Sequence, residues 1–275
     1  MPAPDTRNPT AMITSRDNSL LRRARAVRDG KIKDRIFVEG LRLCEEALRS
    51  ELPLEAVIYS EELARKEKAK QLLNELQEVC DRLASVSETL LASISYTKTP
   101  QGIVVLASRP EMDEAKFKTS QPASPLLVVM HGVNNPVNIG AILRTAEAAG
   151  VTGAIATGNS TDPFSPKALR GAMGSAFRLP IWTDATYTNV LAWCAERRIE
   201  TVCADVQGSA LYTEIDWTAA KALIVGPEST GLTAEEVAVT NAVVRIPMHG
   251  QVQSLNVGVA AAIVLYEAAR QRGEK

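Results

Sequence analysis

The sequence predicts an α/β protein in two parts, a smaller mixed unit followed by a doubly wound parallel sheet with helices on both faces. Three observations predict it. Short apolar runs alternate with amphipathic stretches along most of the 275 residues, which is the signature of βα units. In the C-terminal half the runs (LLVVMHGV, GAIATG, KALIVG) are continuously apolar, as strands covered on both faces must be. Between the halves, RPEMDEAKFKTSQPASP is rich in Pro, Ser and charge and has no apolar period, so it reads as a linker. The expected boundaries are 1–108 for the first domain, 109–124 for the linker and 125–275 for the second domain.

In chain order, a basic helix at 18–27 precedes a strand, RIFVEG, and a helix, GLRLCEEALRS. AVIYS is a second strand, 61–76 a long charged helix, and QGIVVLAS a third strand, so the first sheet should be partly parallel or mixed. After the linker, LLVVMHGV is a strand and NIGAILRTAEAAG a helix closed by glycine. GAIATG and LPIWT are strands on either side of the helix SPKALRGAMGS. Next come the helix TNVLAWCAERR, the strands TVCADV and KALIVG, the short helix TAEEVAV and the strand AVVRIPM. SLNVGVAAAIVLYEAARQR is the last helix. Folds of this kind place their ligand at the C-terminal ends of the strands.

Composition narrows the function. No apolar run approaches the ~20 residues of a membrane span, and MPAPDTRNPTAM shows neither a secretory nor an organellar signal, so a cytoplasmic location is expected. Cys44, Cys80, Cys194 and Cys203 form no CxxC pair and read as buried apolar thiols, which disfavours a zinc site or a disulfide framework. His131 and His249 are the only histidines, so no metal is expected. The net charge of -1 conceals +5 over residues 1–35, -4 over 36–123 and -2 over 124–275. The positive stretch includes Arg22, Arg23, Arg25 and Arg28. It fits a phosphate-tracking surface or a solvated helical face.

Three loops leave strands in the second half. The first, 131–140, lacks the GxGxxG fingerprint of dinucleotide binding but offers Asn138 as a helix cap, with Arg144 less than two turns on. Pairing of Arg144 with Glu147 at i+3 is the plain alternative to a site. The second loop, Gly226-Pro227-Glu228-Ser229-Thr230-Gly231-Leu232, sets a carboxylate among glycines, and an ordinary strand-to-helix turn would look similar. The third, 246–256, enters a helix that Ser254 can cap and that small residues line, a pattern interface packing also explains. Lys167 and Arg170 read either as RNA contacts or as solvated charges.

Taken together, NIGAILRTAEAAGV, GPESTGL and IPMHGQVQSLNVGVAAAIVLYE resemble, in order, the three signature motifs of the SpoU (TrmH-like) RNA ribose methyltransferases of the SPOUT superfamily. RIFVEGLRLCEEAL is similar to an L30e-like RNA-binding domain. The resemblance implies a C-terminal trefoil knot, a homodimer, and S-adenosylmethionine bound by Gly226, Glu228, Ile246, Met248, Ser254, Leu255 and Asn256. It implies a catalytic set of Asn138, Arg144, Glu228, Ser254 and Asn256, and transfer of a methyl group to a ribose 2'-hydroxyl of structured RNA, with ribosomal RNA expected. The second motif departs from the family pattern at Pro227 and Ser229, and proline removes an N–H donor.

In such a site Arg144 would orient the acceptor and lower its hydroxyl pKa; action as the base itself is the stronger claim for a guanidinium. Transfer to tRNA, an inactive assembly factor of the same fold and a Rossmann-type oxidoreductase are the rival readings. The absent glycine fingerprint speaks against the last.

Overall fold

The computed structural model describes residues 11–110 and 112–273. They form two compact units, the first of residues 11–110 with 164–166, the second of 112–163 with 167–273.

The first unit runs β1 (Ala11–Ile13), α1 (Ser19–Arg28), β2 (Arg35–Glu39), α2 (Leu41–Arg49), β3 (Leu54–Ser60), α3 (Glu61–Ala64), α4 (Glu67–Val79), β4 (Leu83–Val86), α5 (Glu88–Ile94) and β5 (Ile103–Ser108). Its sheet has the order β1-β4-β3-β5-β2. β1, β4 and β3 are parallel, while β5 runs antiparallel to both neighbours, so the sheet is mixed. Asn18 caps α1 by accepting from the Leu20 N–H at 2.8 Å. One helical face, Leu20, Leu21, Ala24 and Val27, enters a core with Phe37, Ile58, Leu91 and Leu106. The helix expected over 61–76 is two helices. Ser60 caps the first, and Lys66 takes an extended conformation before the second. β1, β4 and α5 were not foreseen; each is seven residues or shorter, too brief to show a clear period.

The second unit comprises α6 (Glu114–Ser120), β6 (Leu126–Met130), α7 (Pro136–Ala148), β7 (Gly153–Thr157), α8 (Pro166–Ala172), α9 (Ser175–Arg178), β8 (Ile181–Ala185), α10 (Tyr187–Glu196), β9 (Glu200–Ala204), β10 (Ala210–Leu211), β11 (Lys221–Val225), α11 (Ala234–Ala238), β12 (Ala242–Arg245) and α12 (Val257–Arg272). The seven strands are ordered β10-β12-β9-β11-β6-β7-β8, and every pairing is parallel. β6, β7 and β11 are buried at all five positions, which explains their unbroken apolar sequences.

The segment 109–124 is not a bare connector. α6 occupies its middle, and Phe117, fully buried, packs against Trp182 and Trp193 with ring centroids 5.9 and 5.7 Å away. One aromatic among charged residues gave no period to read, yet its burial ties the segment to the second unit.

Two helix caps also differ from expectation. Asn135, not Asn138, caps α7, with Pro136 in the first turn where its missing N–H costs nothing. Asn256, not Ser254, caps α12 by accepting from the N–H groups of Gly258 and Val259 at 2.9 and 3.3 Å. Both shifts release a side chain for other work.

α7 crosses α8 at two glycines. A Cβ on Gly140 would stand 2.5 Å from the Ala168 carbonyl oxygen and 2.8 Å from the Gly171 Cα, so no larger residue fits without moving α8. α12 lies along α7, with Gly258 beside Ala141 and Ile142. At its far end Arg272 donates to the carbonyls of Trp217 and Ala219 at 2.7 and 2.6 Å.

Candidate functional site

The site forms where β9, β11 and β12 end. Beyond β6, His131 donates its backbone N–H to Val225 at 2.9 Å, extending the β6–β11 ladder. Gly132 then turns with φ of +65°, and a Cβ there would meet the Pro227 ring at 2.9 Å. Pro227 is thus seated in the space a glycine leaves. Its carbonyl accepts from the Gly231 N–H at 3.0 Å, closing the 226–232 turn.

α11 follows that turn and is locked to the sheet. Thr233 and Glu236 form a reciprocal capping box, and Glu236 Oε1 lies 2.8 Å from His131 Nε2. His131 Nδ1 is 3.1 Å from Thr157 Oγ1, and Tyr187 covers the ring. The Thr233 backbone N–H, with His131 in support, holds the Glu236 carboxyl below the usual carboxylate range. His131 is therefore a scaffold residue at the entry of the second loop.

The three loops meet through side-chain amides. Asn256 Nδ2 donates to Asn138 Oδ1 at 3.1 Å, and Asn138 Nδ2 donates to Glu228 Oε1 at 2.9 Å. Because Asn256 Oδ1 caps α12, the direction of the whole chain is fixed. Asn138 is 6% exposed; a buried amide satisfied at both ends orients its neighbours.

A cavity of ≈ 280 Å³ opens beside this chain. Gly226, Glu228, Ile246, Met248, Ser254 and Leu255 all line it, so the predicted cofactor residues converge, with Asn256 one step behind through Asn138. Apolar walls come from Val225, Leu232, Val244, Val257 and Ala260. Ala204, Asp205 and Val206, at the end of β9, also line it. The sequence reading passed over them, since only the strand order places β9 beside β11. Among the described residues, Asp205 and Glu228 are the only charged ones in the lining.

Arg144 does not line this cavity. It is exposed on α7 with no side-chain hydrogen bond or ion pair among the described residues, and Glu147 pairs instead with Arg178, its Oε1 accepting from Arg178 Nε at 2.5 Å. That pairing lowers the Glu147 carboxyl below its ordinary value. Lys167 and Arg170 on α8 are exposed and also lie outside the cavity lining.

In the first unit the basic helix divides into two kinds of residue. Arg23 forms a two-point ion pair with Glu55, which also accepts from Arg35 at 2.8 Å. Arg25 donates to the Arg16 carbonyl at 2.9 Å. Arg28 pairs with Asp29 at 2.8 Å and reaches the Ser93, Ile94 and Ser95 carbonyls at the end of α5. These three hold the unit together, contrary to a purely RNA-facing role. Arg22 is exposed with no side-chain partner among the described residues, as are Arg16, Lys31 and Lys33.

All four cysteines are buried and unpaired. Among the described residues no cluster of three or more His, Cys, Asp or Glu is arranged to hold a metal, and no helix is long and apolar enough to cross a membrane.

A fully parallel sheet with a cavity at adjoining strand ends, walled by apolar residues and two carboxylates, is the plan of an α/β protein that takes a nucleotide-like ligand. The chain belongs to the SpoU rRNA Methylase family, whose profile matches residues 125–266; residues 21–105 match the MRM3-like substrate binding domain. It is 32% identical to the 23S rRNA (guanosine(2553)-2'-O)-methyltransferase of Bacillus subtilis strain 168, over 84% of this chain and 86% of that one. The AdoMet-bound rRNA methyltransferase of Sinorhizobium meliloti superposes with a TM-score of 0.83 at 28% identity, covering 95% of this chain and 98% of that one. The SpoU methyltransferase AviRb of Streptomyces viridochromogenes, in complex with AdoMet, gives a TM-score of 0.80 at 28% identity, covering 93% and 98%.

Proposed function

We propose that this protein transfers the methyl group of S-adenosylmethionine to a ribose 2'-hydroxyl of ribosomal RNA. The observation that carries the proposal is the hydrogen-bonded chain Asn256–Asn138–Glu228, which joins all three loops at the rim of the cavity. The lining suits the cofactor. Apolar walls fit an adenine, and both charged lining residues are acidic, matching a ligand that carries a sulfonium and an ammonium against one carboxylate.

When bound, the cofactor supplies an electrophilic methyl on sulfur. The chain's own contribution is alignment and electrostatics, which alone can lower a barrier by several kcal/mol. Gly226, Ile246, Met248, Ser254 and Leu255 hold the donor. Glu228, fixed by Asn138, sets the rim. Arg144 binds the acceptor's phosphate and draws its hydroxyl toward ionisation; a guanidinium does this without itself losing a proton.

Residues 1–108 serve as an L30e-like domain that holds RNA, with Arg22 on its exposed face; residues 125–275 are the catalytic domain, with 109–124 between them. Lys167 and Arg170 add phosphate contacts. The C-terminal segment is threaded as a trefoil knot, and two chains pair through α7 and α12. Exposed Val137, Val259 and Tyr266 on those helices support the pairing. Arg144 lies two turns beyond Val137 on the same face of α7, so it would stand at that junction. The protein acts in the cytoplasm without a metal. The 23S rRNA named for the Bacillus subtilis relative favours ribosomal RNA over tRNA.

The test is Arg144→Ala. Methyl transfer to RNA should disappear while affinity for S-adenosylmethionine, measured by calorimetry, changes little; equal loss of both would remove Arg144 from the acceptor side. Sedimentation at micromolar concentration should give a dimer. Mapping of 2'-O-methyl groups in rRNA and tRNA with and without the protein identifies the substrate.

A further inference from the structure

Asp205 belongs to none of the three motifs, yet it lines the same cavity. Its backbone is clamped to β12. Its N–H donates to the Val244 carbonyl at 2.9 Å, and its own carbonyl accepts from the Gly208 N–H at 3.1 Å. Gly208 presses so closely on β12 that a Cβ there would lie 2.4 Å from the Val244 carbonyl carbon. Oδ1 accepts from the Gln207 N–H at 2.7 Å, whereas Oδ2 has no partner among the described residues. The side chain is thus held in place with one acceptor free.

The other charged lining residue, Glu228, accepts from Asn138 through Oε1 and is thereby tied into the amide chain that joins the three loops. Asp205 lies against Val244, which accepts its N–H and which, with Ile246 and Met248, supplies apolar lining. An adenine against those apolar side chains would bring its attached ribose toward Asp205. Carboxylates at strand ends take ribose hydroxyls in other parallel α/β sheets, and a vicinal diol supplies two donors to an anion.

We propose that Asp205 recognises the 2',3'-diol of the cofactor ribose. The proposal rests on the cavity being the S-adenosylmethionine site.

The experiment measures binding of S-adenosylmethionine, 5'-methylthioadenosine (which lacks the amino-acid arm) and 2',3'-dideoxy-5'-methylthioadenosine by calorimetry. The proteins are the wild type and Asp205→Asn, a variant that keeps an acceptor for the Gln207 N–H. Hydrogen bonds to a charged group predict that Asp205→Asn weakens the first two ligands by the same factor, roughly 10- to 100-fold. The dideoxy ligand should bind the wild type as weakly as methylthioadenosine binds the variant, and lose nothing further in the variant. Weakening of S-adenosylmethionine alone would assign Asp205 to the cationic sulfonium or ammonium and overturn the proposal. An unchanged affinity for all three, or an equal loss for the dideoxy ligand, would overturn it in favour of a turn-forming role. A wild-type protein that binds no S-adenosylmethionine would reject the cofactor site itself, a separate result.

Discussion

Asn138 donates to Glu228 across 2.9 Å and 90 residues of sequence, and with the Asn256 bond behind it this contact makes one site of three loops. Asn138→Asp would set two carboxylates face to face and remove the donor to Glu228. Losing a charge-assisted hydrogen bond predicts a fall in methyl transfer of about 10- to 100-fold. An unchanged rate in a radiolabelled methyl-transfer assay would show that the chain is structural only.

The three motifs were legible because each is a run of unusual residues at a strand exit, and the parallel sheet was legible because LLVVM and KALIV have no polar face to expose. The caps were not. Asn135 and Asn138 are equally good capping residues three positions apart, and only the tertiary partners Glu228 and Asn256 decide which one caps. Asp205 was hidden for a different reason. The β9 exit lines the cavity through the order β12-β9-β11, and strand order leaves no local trace in sequence. The basic helix misled in part, since the sequence shows Arg23 and Glu55 but not that they meet.

Phe117 gives the segment 109–124 a measurable role. Phe117→Ala should destabilise the second unit by about 3–5 kcal/mol, the usual cost of emptying a buried aromatic site. All three tryptophans, Trp182, Trp193 and Trp217, lie in that unit, so the denaturant midpoint followed by tryptophan fluorescence reports it directly. A midpoint equal to that of the wild type would return the segment to the status of a connector.

Glu55 should make the first unit sensitive to acid. The Arg23 hydrogen bond, assisted by Arg35 against the opposing effect of burial, lowers its carboxyl below the ordinary value. A depressed carboxylate contributes stability above its unfolded pKa of ~4.3, and that contribution is lost as pH falls through the lower folded value. Glu55→Gln should therefore cost roughly 1 kcal/mol at neutral pH, as partly exposed pairs do. In calorimetry across pH, the gap between variant and wild type should close on the acid side; a gap that widens there contradicts the assignment.

Arg22 and Arg23 are neighbours with opposite expectations. Arg22→Ala should weaken RNA binding and reduce the slope of log K against log salt by about one, with no change in melting temperature. Arg23→Ala should lower the melting temperature by removing the partner of Glu55. Equal effects of the two substitutions on RNA affinity, at equal stability, would mean that the whole helix faces the nucleic acid.

The bond between Asn256 and Asn138 spans 118 positions, and it has a bearing on synthesis. While the chain is being made, the sheet and the first two loops emerge before the segment that completes the rim, and contacts so distant in sequence form late. A polypeptide arrested before Asn256 holds Asn138 and Glu228 but not the amide that orients them. Competence then arrives with the final helix, leaving unfinished copies unable to modify the nucleic acid around them.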